Sequence, residues 1–352
     1  MSYEISRKAA SLSAYAPTKG DFDIHLDANE SYFSLSEEAL NRFLEKAREI
    51  AFNRYPDETE KKLISAFSKR YGLREDCVCA GNGSDELITV IIGGLLERGG
   101  KILTAEPDFS MYRQNGKIAE QQLYRITKDE DFSFSVLEAA EIINREKIDC
   151  FIFSNPCNPT GGEIKKEDVL YLVRNTNALI VADEAYMEFS SGENSVLKEA
   201  QEEKGLIVLK TLSKAYSLAG ARIGFAVCEK ETALSLNSIR SPYNINSLSQ
   251  ILGAIVLESG EELDRNFRNI KIQTNRLFSF LERENLSYIE KVFPTKGNFV
   301  FLKPKDSKAL WEALAKRKIA VRLMDKYIRI SAPSPLEEEA LFSALKEIEK
   351  EI

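Results

Sequence analysis

Thr211-Leu-Ser-Lys-Ala-Tyr-Ser-Leu-Ala-Gly-Ala-Arg-Ile-Gly224 is the most informative segment of the chain. It follows an apolar run over 206–210 that is typical of a strand, so Lys214 lies just past the carboxyl end of that strand. Open α/β sheets bind ligands at this edge. A lysine amine there can form an imine with an aldehyde cofactor, which a substrate amine then displaces. Lys214 alone is one of 48 basic residues, and a surface lysine would be the better interpretation without further motifs.

The pattern on either side of this segment predicts a parallel sheet covered by helices, because short apolar, β-branched runs alternate with amphipathic stretches. Capping-box spacing predicts helix starts at Asp57 with Glu60 and at Ser135 with Glu138, and Gly72 is placed to end the first helix. Strands are predicted over 101–105, 122–126, 150–154, 178–182, 206–210 and 222–228.

The chain of 352 residues exceeds the size at which one core stops growing, so a large and a small domain are expected. Beyond about Ser247 the pattern changes to two long helices, then strands, then a final helix opened by Ser334, Pro335 and Glu337. We expect an N-terminal arm that includes part of the small domain, a large cofactor-binding domain, and a small C-terminal domain, over 1–45, 46–247 and 248–352.

Composition excludes several other classes of function. A net charge of −7 provides no basic surface for nucleic acid. No apolar run is long enough to span a membrane and the first residues lack a signal-peptide core, so we expect a cytoplasmic protein. The five cysteines are odd in number and fit buried, reduced thiols. With His25 as the single histidine and no C-x-x-C pair, neither a zinc site nor an ordinary histidine triad is expected.

Two further segments also follow predicted strands: Ser154-Asn-Pro-Cys-Asn-Pro-Thr-Gly161 and Val181-Ala-Asp-Glu-Ala-Tyr186. A pyridine cofactor that withdraws electrons needs a carboxylate at its ring nitrogen and donors near its phenolic oxygen. Asp183 suits the first role, and Asn158 and Tyr186 suit the second. In isolation, a helix cap would be the better interpretation of Asp183 and a turn that of Asn158. Neither alternative explains three such motifs in this order.

The phosphate of such a cofactor needs backbone N–H groups and positive charge. Gly81-Asn-Gly-Ser-Asp-Glu86 precedes a helix expected from near Leu87, and the amino end of a helix attracts anions. We expect Ser84 and the backbone around Asp85 to bind the phosphate, together with Ser213 and Arg222. Phe109 is the candidate to stack on the pyridine ring, with a simple core aromatic as the alternative.

Taken together, these segments resemble the fold-type I aminotransferases of class II, and specifically the histidinol-phosphate aminotransferase family. The resemblance runs from about Tyr15 to Ser331. It implies an α/β fold-type I pyridoxal-phosphate-dependent transferase, with a mixed, mostly parallel sheet in the large domain and a smaller α/β domain. Shorter matches carry the subgroup: Leu26-Asp-Ala-Asn-Glu30, Arg54-Tyr-Pro-Asp57, Gly83-Ser-Asp-Glu86, Pro242-Tyr-Asn-Ile-Asn246 and Gly297-Asn-Phe299.

The resemblance also implies roles that the residues alone do not indicate. Tyr55 would reach across a homodimer interface to the cofactor phosphate of the other subunit. Arg322 and Arg329 would hold the substrate phosphate and, in the other half-reaction, a carboxylate, although an exposed arginine on an edge strand is a reasonable alternative for Arg322. Lining the substrate side of the cleft would be Tyr15, Asn29 and Glu30.

Two residues depart from the family pattern. Phe109 stands where many relatives have tyrosine, which keeps the ring but removes a hydroxyl group. Cys157 stands where relatives often have asparagine.

The implied activity is transamination with pyridoxal 5'-phosphate. Histidinol phosphate and 2-oxoglutarate would give imidazole-acetol phosphate and glutamate, a step of histidine biosynthesis. Two enzymes on the same scaffold remain alternatives, an aromatic amino-acid aminotransferase and a phosphothreonine decarboxylase. A ligand-sensing regulator would need a DNA-binding segment ahead of Tyr15, and the acidic charge opposes it. A catalytically inactive scaffold is a further alternative, and the presence of every expected chemical residue opposes it.

Overall fold

The computed structural model describes residues 4–10, 12 and 18–351. Helices and strands are numbered separately in chain order. The strands are β1 Ile24–Leu26, β2 Val78–Gly81, β3 Lys101–Glu106, β4 Gln122–Thr127, β5 Cys150–Ser154, β6 Leu179–Asp183, β7 Leu206–Thr211, β8 Gly224–Val227, β9 Ile289–Phe293, β10 Phe299–Pro304, β11 Ile319–Met324 and β12 Tyr327–Ser331. The helices are α1 Arg7–Ala10, α2 Glu37–Ala47, α3 Lys61–Tyr71, α4 Ser84–Val90, α5 Met111–Ile118, α6 Val136–Glu146, α7 Lys166–Asn175, α8 Lys230–Ile239, α9 Ser247–Glu258, α10 Gly260–Arg283, α11 Ser307–Lys316 and α12 Pro335–Glu351.

The larger sheet has seven strands in the order β2-β8-β7-β6-β5-β3-β4. Strands β3 to β7 run parallel, and β8 runs antiparallel to both β7 and β2. Every residue of β5 and β7 is buried, as expected for parallel strands covered by helices on both faces. As a result, the carboxyl ends of six strands and the amino end of β8 meet at one edge of the sheet.

The smaller sheet has five strands in the order β1-β11-β12-β10-β9. Strand β1 joins it in parallel with β11, so an N-terminal segment is part of a sheet otherwise made from the last third of the chain. Its core includes buried leucines of α10 and the buried face of α12, where Leu341, Leu345 and Ile348 lie. This is the α/β architecture with a mixed, mostly parallel sheet and a smaller α/β unit that the sequence predicts.

The predicted domain boundaries stay a prediction. Membership of β1 in the smaller sheet supports assigning part of the first 45 residues to the small domain. By contrast, α9 buries Ala254, Val256 and Leu257 in the core of the larger sheet. This packing favours a boundary later than residue 248.

Most predicted helix ends agree with the structure. Ser135 caps α6 by accepting a hydrogen bond from the Glu138 N–H at 3.2 Å, and Gly72 ends α3 in the left-handed region with φ of 67°. Ser334 and Glu337 make both hydrogen bonds of a capping box at the start of α12. Helix α4 begins at Ser84, three residues before the predicted start, and α11 was not predicted.

The capping box predicted for Asp57 and Glu60 is wrong. Helix α3 begins at Lys61, after Glu60 in a left-handed conformation with φ of 43°. The Glu60 carboxylate instead binds the Arg240 guanidinium through two hydrogen bonds of 2.7 and 2.8 Å, and this buried ion pair fixes its position. The Asp57 carboxylate still accepts a hydrogen bond from the Lys61 N–H, but Asp57 lies four residues before the first residue of α3. Among the described helices, none is both long and apolar enough to cross a membrane.

Candidate active site

Lys214 follows β7 at the edge where the strand ends meet. Its Nζ donates a hydrogen bond of 2.9 Å to the Ala28 carbonyl oxygen, which belongs to the segment after β1. Burial lowers the pKa of Lys214 to about 8, and the positive charge of Arg329 adds to this effect while Glu30 opposes it. A larger fraction of this amine is therefore neutral near pH 7 than for an ordinary lysine, and the neutral amine is the nucleophilic form.

Asp183 is the last residue of β6 and is buried. Its Oδ2 accepts a hydrogen bond of 2.8 Å from the Tyr112 hydroxyl, and its Oδ1 accepts one of 3.1 Å from the Ala185 N–H. Burial raises the pKa of Asp183 to about 6, although both hydrogen bonds favour the charged form. The carboxylate is thus ionised near pH 7 and suits a protonated ring nitrogen. Sequence reasoning missed Tyr112, despite its place one helical turn after Phe109.

Tyr186 is buried, and its hydroxyl accepts a hydrogen bond of 3.0 Å from the Asn29 side-chain amide. Burial raises the pKa of Tyr186 to about 12, so the phenol stays protonated and can donate. Asn29 is held on its other sides, because its N–H donates to Ser331 Oγ at 2.9 Å and its carbonyl oxygen accepts from the Asn298 amide at 3.0 Å. These contacts connect the two sheets. Asn298 and Ser331 were not predicted as site residues.

Asn158 contacts Arg329, whose positive charge also acts on Lys214 and Tyr186. One nitrogen of Arg329 donates to Asn158 Oδ1 at 2.5 Å and another donates to the Asp27 carbonyl oxygen at 2.7 Å. The Arg329 guanidinium lies 5.5 Å from the centre of the Phe299 ring. Arg329 therefore bridges the smaller sheet and the loop after β5.

Arg322 and Arg329 are directly opposite each other in the β11–β12 ladder. Directly opposite residues of an antiparallel pair project from the same face of the sheet, and like charges at such positions repel each other. An anionic ligand between the two guanidinium groups would relieve that repulsion. A phosphate or carboxylate suits such a fork geometry.

The predicted phosphate site forms between the amino end of α4 and β8. Arg222 donates to Asp85 Oδ2 at 2.9 Å and to Ser213 Oγ at 3.4 Å. A Cβ atom added to Gly83 would lie 2.6 Å from an Arg222 nitrogen, and one added to Gly224 would overlap the Ser84 nitrogen. Position 224 needs glycine because a side chain there would overlap the backbone of Ser84. Position 83 favours glycine because its φ of 82° lies in the left-handed region.

A phosphate fits this set of donors, because a helix start, a guanidinium and a serine hydroxyl converge. Ser84 is the first residue of α4, and its N–H is one of the helix's unpaired donors. Ser213 is held in place by Thr211, whose Oγ1 lies 3.0 Å from Ser213 Oγ. Thr211 belongs to the sequence motif, but the motif alone does not indicate this contact with Ser213.

The other predicted site residues lie at or beyond the margin of this cluster. Phe109 is half-buried and packs edge-on against Tyr112 with ring centres 5.5 Å apart. Glu30 is exposed near Lys214. Tyr55 is 80% exposed and stacks on Tyr243 with ring centres 4.6 Å apart, so its predicted role needs a second subunit. Tyr15 lies outside the described residues.

Comparisons with known proteins agree with this geometry. Residues 23–348 match the family model described as aminotransferase class I and II. The chain is 36% identical to a histidinol-phosphate aminotransferase of Clostridium kluyveri, over 96% of this chain and 96% of that relative. It is 38% identical to one of Clostridium novyi, over 90% of this chain and 89% of that relative. A crystal structure of histidinol-phosphate aminotransferase from Sinorhizobium meliloti in complex with pyridoxal-5'-phosphate superposes with a TM-score of 0.88 at 22% identity, covering 99% of this chain and 98% of that one.

Proposed function

The chain belongs to the aminotransferase class I and II family, and from this premise we propose that it transfers an amino group between histidinol phosphate and 2-oxoglutarate. The products are imidazole-acetol phosphate and glutamate, or the reverse pair in a cell that makes histidine. One observation carries the proposal. Lys214 and the buried Asp183 lie at the same sheet edge, and Arg329, which is opposite Arg322 in the β11–β12 ladder, reaches Asn158 there.

The cofactor is pyridoxal 5'-phosphate, which supplies an aldehyde for amine exchange and a ring that withdraws electrons when bound. Asp183 would hold the ring nitrogen, and Asn158 and Tyr186 would hold the phenolic oxygen. Lys214 would supply the amine for covalent attachment, and Phe109 would stack on the ring. The phosphate is bound by Arg222, Ser213, Ser84 and the backbone around Asp85. The hydrogen bonds of Arg222 with Asp85 and Ser213 support the phosphate assignment, and the Tyr112 hydroxyl orients the Asp183 carboxylate.

The reaction needs one group that both accepts and returns a proton at the substrate carbon. Lys214 suits this role, because a pKa of about 8 lets the amine hold either state near neutral pH. The Ala28 carbonyl oxygen limits the directions in which the free amine can point. Asp183 stays ionised throughout, and Tyr186 keeps its proton available for donation.

Arg322 and Arg329 bind the anionic end of each substrate in turn. A guanidinium group donates hydrogen bonds to a phosphate or to a carboxylate with similar geometry, so the same pair of arginines serves both half-reactions. The contact between Arg329 and Asn158 joins this anion site to the cofactor site. Asn29 and Glu30 lie on the same side of Lys214 as the Ala28 contact, which supports a place for the substrate there.

The active form is a homodimer in which Tyr55 of each subunit completes the phosphate site of the other. The exposure of Tyr55, at 80%, and of nearby Phe52, at 76%, supports this proposal, because large exposed apolar side chains mark interfaces. Stacking on Tyr243 holds the Tyr55 ring in a defined orientation before any partner binds.

An amino-donor panel with 2-oxoglutarate as acceptor tests the proposed function. Histidinol phosphate should be used with a far higher kcat/KM than phenylalanine, and phosphothreonine should release no carbon dioxide. Preference for phenylalanine would instead identify an aromatic amino-acid aminotransferase. Carbon dioxide from phosphothreonine would identify the decarboxylase.

A further inference from the structure

A buried ion pair lies behind two of the segments that face the cofactor site. Lys128 follows β4, and Asp108 follows β3. The Lys128 and Asp108 side chains are 4% and 2% exposed, and Lys128 Nζ lies 3.7 Å from Asp108 Oδ2. Burying two charges costs desolvation free energy, so such a pair is weak evidence for stability by itself. The role of the Lys128–Asp108 pair therefore has to be inferred from the residues that the pair contacts.

Asp108 connects the loop after β3 to the loop after β5. Its Oδ1 accepts the Phe109 N–H at 2.7 Å and the Ser154 hydroxyl, and its Oδ2 accepts the Ser154 N–H at 3.2 Å. The Ser154 hydroxyl oxygen in turn accepts the Asn158 N–H at 3.0 Å. One carboxylate therefore determines the backbone positions of both Phe109 and Asn158.

Lys128 contacts the same two loops from the other side of the carboxylate. Its ammonium donates to the Pro107 carbonyl oxygen at 3.0 Å and to Cys157 Sγ at 3.1 Å. Pro107 and Cys157 immediately precede Asp108 and Asn158 in the chain. The ammonium thus fastens one loop two residues before Phe109 and the other loop one residue before Asn158.

The charges of the pair depend on each other. Burial raises the pKa of Asp108, and the Lys128 ammonium and the Ser154 hydrogen bond offset part of that rise. Without the ammonium the carboxyl group would take up a proton more easily and accept hydrogen bonds less well. The loops would then lose both of their common anchors.

We propose that Lys128 and Asp108 are positioning residues that together set Phe109 and Asn158 against the cofactor ring. The proposal rests on the proposed function in one respect, namely that the ring binds between these two residues. Neither Lys128 nor Asp108 is a catalytic residue, since each acts through the loops.

Three variants test the proposal: Lys128→Met, Asp108→Asn, and the double variant. Cofactor affinity is titrated without any amino donor, and the pH midpoint of the bound cofactor's absorption change is recorded. Steady-state kcat and KM follow. Each single variant should bind pyridoxal phosphate at least about tenfold more weakly, as expected for one lost hydrogen bond to a charged group. Its kcat/KM should fall on the order of 10²-fold, as expected for a displacement of about 1 Å.

The pH midpoint separates a positioning role from a merely structural one. Asn158 donates to the phenolic oxygen, and a donor favours the charged form, so its displacement should raise the midpoint by about one pH unit. The double variant removes both charges. Its losses of cofactor affinity and of kcat/KM, on a logarithmic scale, should therefore be smaller than the sum of the losses in the two single variants.

Arg276→Met is the matched control. Arg276 binds the buried carboxylate of Glu338 between α10 and α12, away from the cofactor edge. This variant should lower the thermal midpoint of unfolding but leave cofactor affinity and the pH midpoint unchanged.

Wild-type cofactor affinity and a wild-type pH midpoint in folded Lys128→Met and Asp108→Asn would overturn the proposal. If Lys128→Met does not fold, Asp108→Asn and the double variant give the same two readings. Since the cofactor titration uses no amino donor, an error in the proposed substrate leaves this result intact. A failure here likewise leaves the donor panel unaffected.

Discussion

The cofactor end of the site is formed by residues that directly follow parallel strands of the larger sheet, whereas its arginine end comes from an antiparallel hairpin of the smaller sheet. Asp183 and Lys214 lie within three residues of strand ends, and their positions follow from sheet topology. Arg322 and Arg329 are paired across the β11–β12 ladder instead. On the proposed assignment, one sheet supplies the cofactor chemistry and the other sheet selects the anion.

The contacts between the two ends are few and specific. Arg329 reaches Asn158, and Asn29 reaches Tyr186 while Asn298 holds Asn29 from the smaller sheet. The first two of these hydrogen bonds end on Asn158 and Tyr186, which are proposed to face the cofactor, and the third holds Asn29 in place. We therefore expect substitutions at the cofactor end to lower kcat/KM for every substrate alike. Substitutions at the arginine end should lower kcat/KM more for some substrates than for others.

The largest effect is expected from Lys214→Ala. Loss of the amine removes the cofactor anchor and the proton carrier together, so kcat should fall by at least about 10²–10⁴-fold for every donor. Absorption of the bound cofactor should change with it. The control is Lys166→Ala, which removes a lysine of α7 that pairs with Glu199. This variant should keep wild-type turnover and absorption. An unchanged absorption band in Lys214→Ala would contradict the assignment.

A smaller but still uniform loss is expected from Asp183→Asn. The variant keeps the shape of the side chain but removes the charge at the ring nitrogen, so kcat should fall about 10²–10³-fold for every donor. Asp149→Asn, at the opposite end of the sheet, should have no such effect because the Asp149 carboxylate accepts the Lys101 N–H there, away from the proposed site. Similar kcat values for Asp183→Asn and the wild type would remove Asp183 from the mechanism.

The same residue gives a pH dependence. The pKa of Asp183 is raised to about 6, so the carboxylate takes up a proton as the pH falls through that value. The proposed binding mode needs the charged form, so cofactor affinity should decline progressively as the pH falls below about 6. Asp183→Asn should flatten this part of the profile in a cofactor titration.

Much of the cofactor end was predictable because its motifs are local. Asn158, Asp183, Tyr186 and Lys214 each follow a strand at short distance, and parallel strands bring their carboxyl ends together. Fold class could be predicted for the same reason. The alternation of apolar runs and amphipathic helices is visible without any long-range information.

The supporting residues were not predictable, because they come from distant parts of the chain. Tyr112 and Lys128 lie in ordinary-looking segments, and Asn298 lies in a short family match that does not indicate its role. Their contacts to Asp183, Asp108 and Asn29 depend on the finished fold. The wrong capping box has the same cause. Local spacing at Glu60 carries no information about Arg240, which lies 180 residues later.

A moderate effect is expected at the subunit interface from Tyr55→Phe. One lost hydrogen bond to a phosphate should weaken cofactor affinity about tenfold. Mixed dimers locate the residue. A heterodimer of Lys214→Ala and Tyr55→Phe chains contains one site with both native residues if Tyr55 acts across the interface, and should show about half of wild-type activity.

The matched control combines both changes in one chain. A heterodimer of that double-variant chain with a wild-type chain would have Lys214 only beside Phe at position 55, and its cofactor affinity should be about tenfold weaker. If Tyr55 served its own subunit, the two heterodimers would exchange their behaviour.

The smallest effect is expected away from both ends of the site. Ser135→Ala removes the side-chain cap of α6 and should lower the free energy of unfolding by about 1 kcal/mol. Cofactor affinity and kcat/KM should not change for any donor. Denaturant titration together with donor kinetics checks both parts, and a specific loss for one donor would show that α6 influences the site.

The division of labour between the two sheets is tested most directly by the kinetics of Arg322→Ala with histidinol phosphate and with phenylalanine, measured beside cofactor affinity. Removal of one charge-assisted contact should lower kcat/KM for histidinol phosphate about 10–100-fold. Phenylalanine has no phosphate or second carboxylate for Arg322 to bind, so its kinetics should stay within about threefold of wild type. Cofactor affinity should do the same, because the strand-end residues remain. Equal use of both donors by the wild type and Arg322→Ala, or an equal loss for both, would contradict the account.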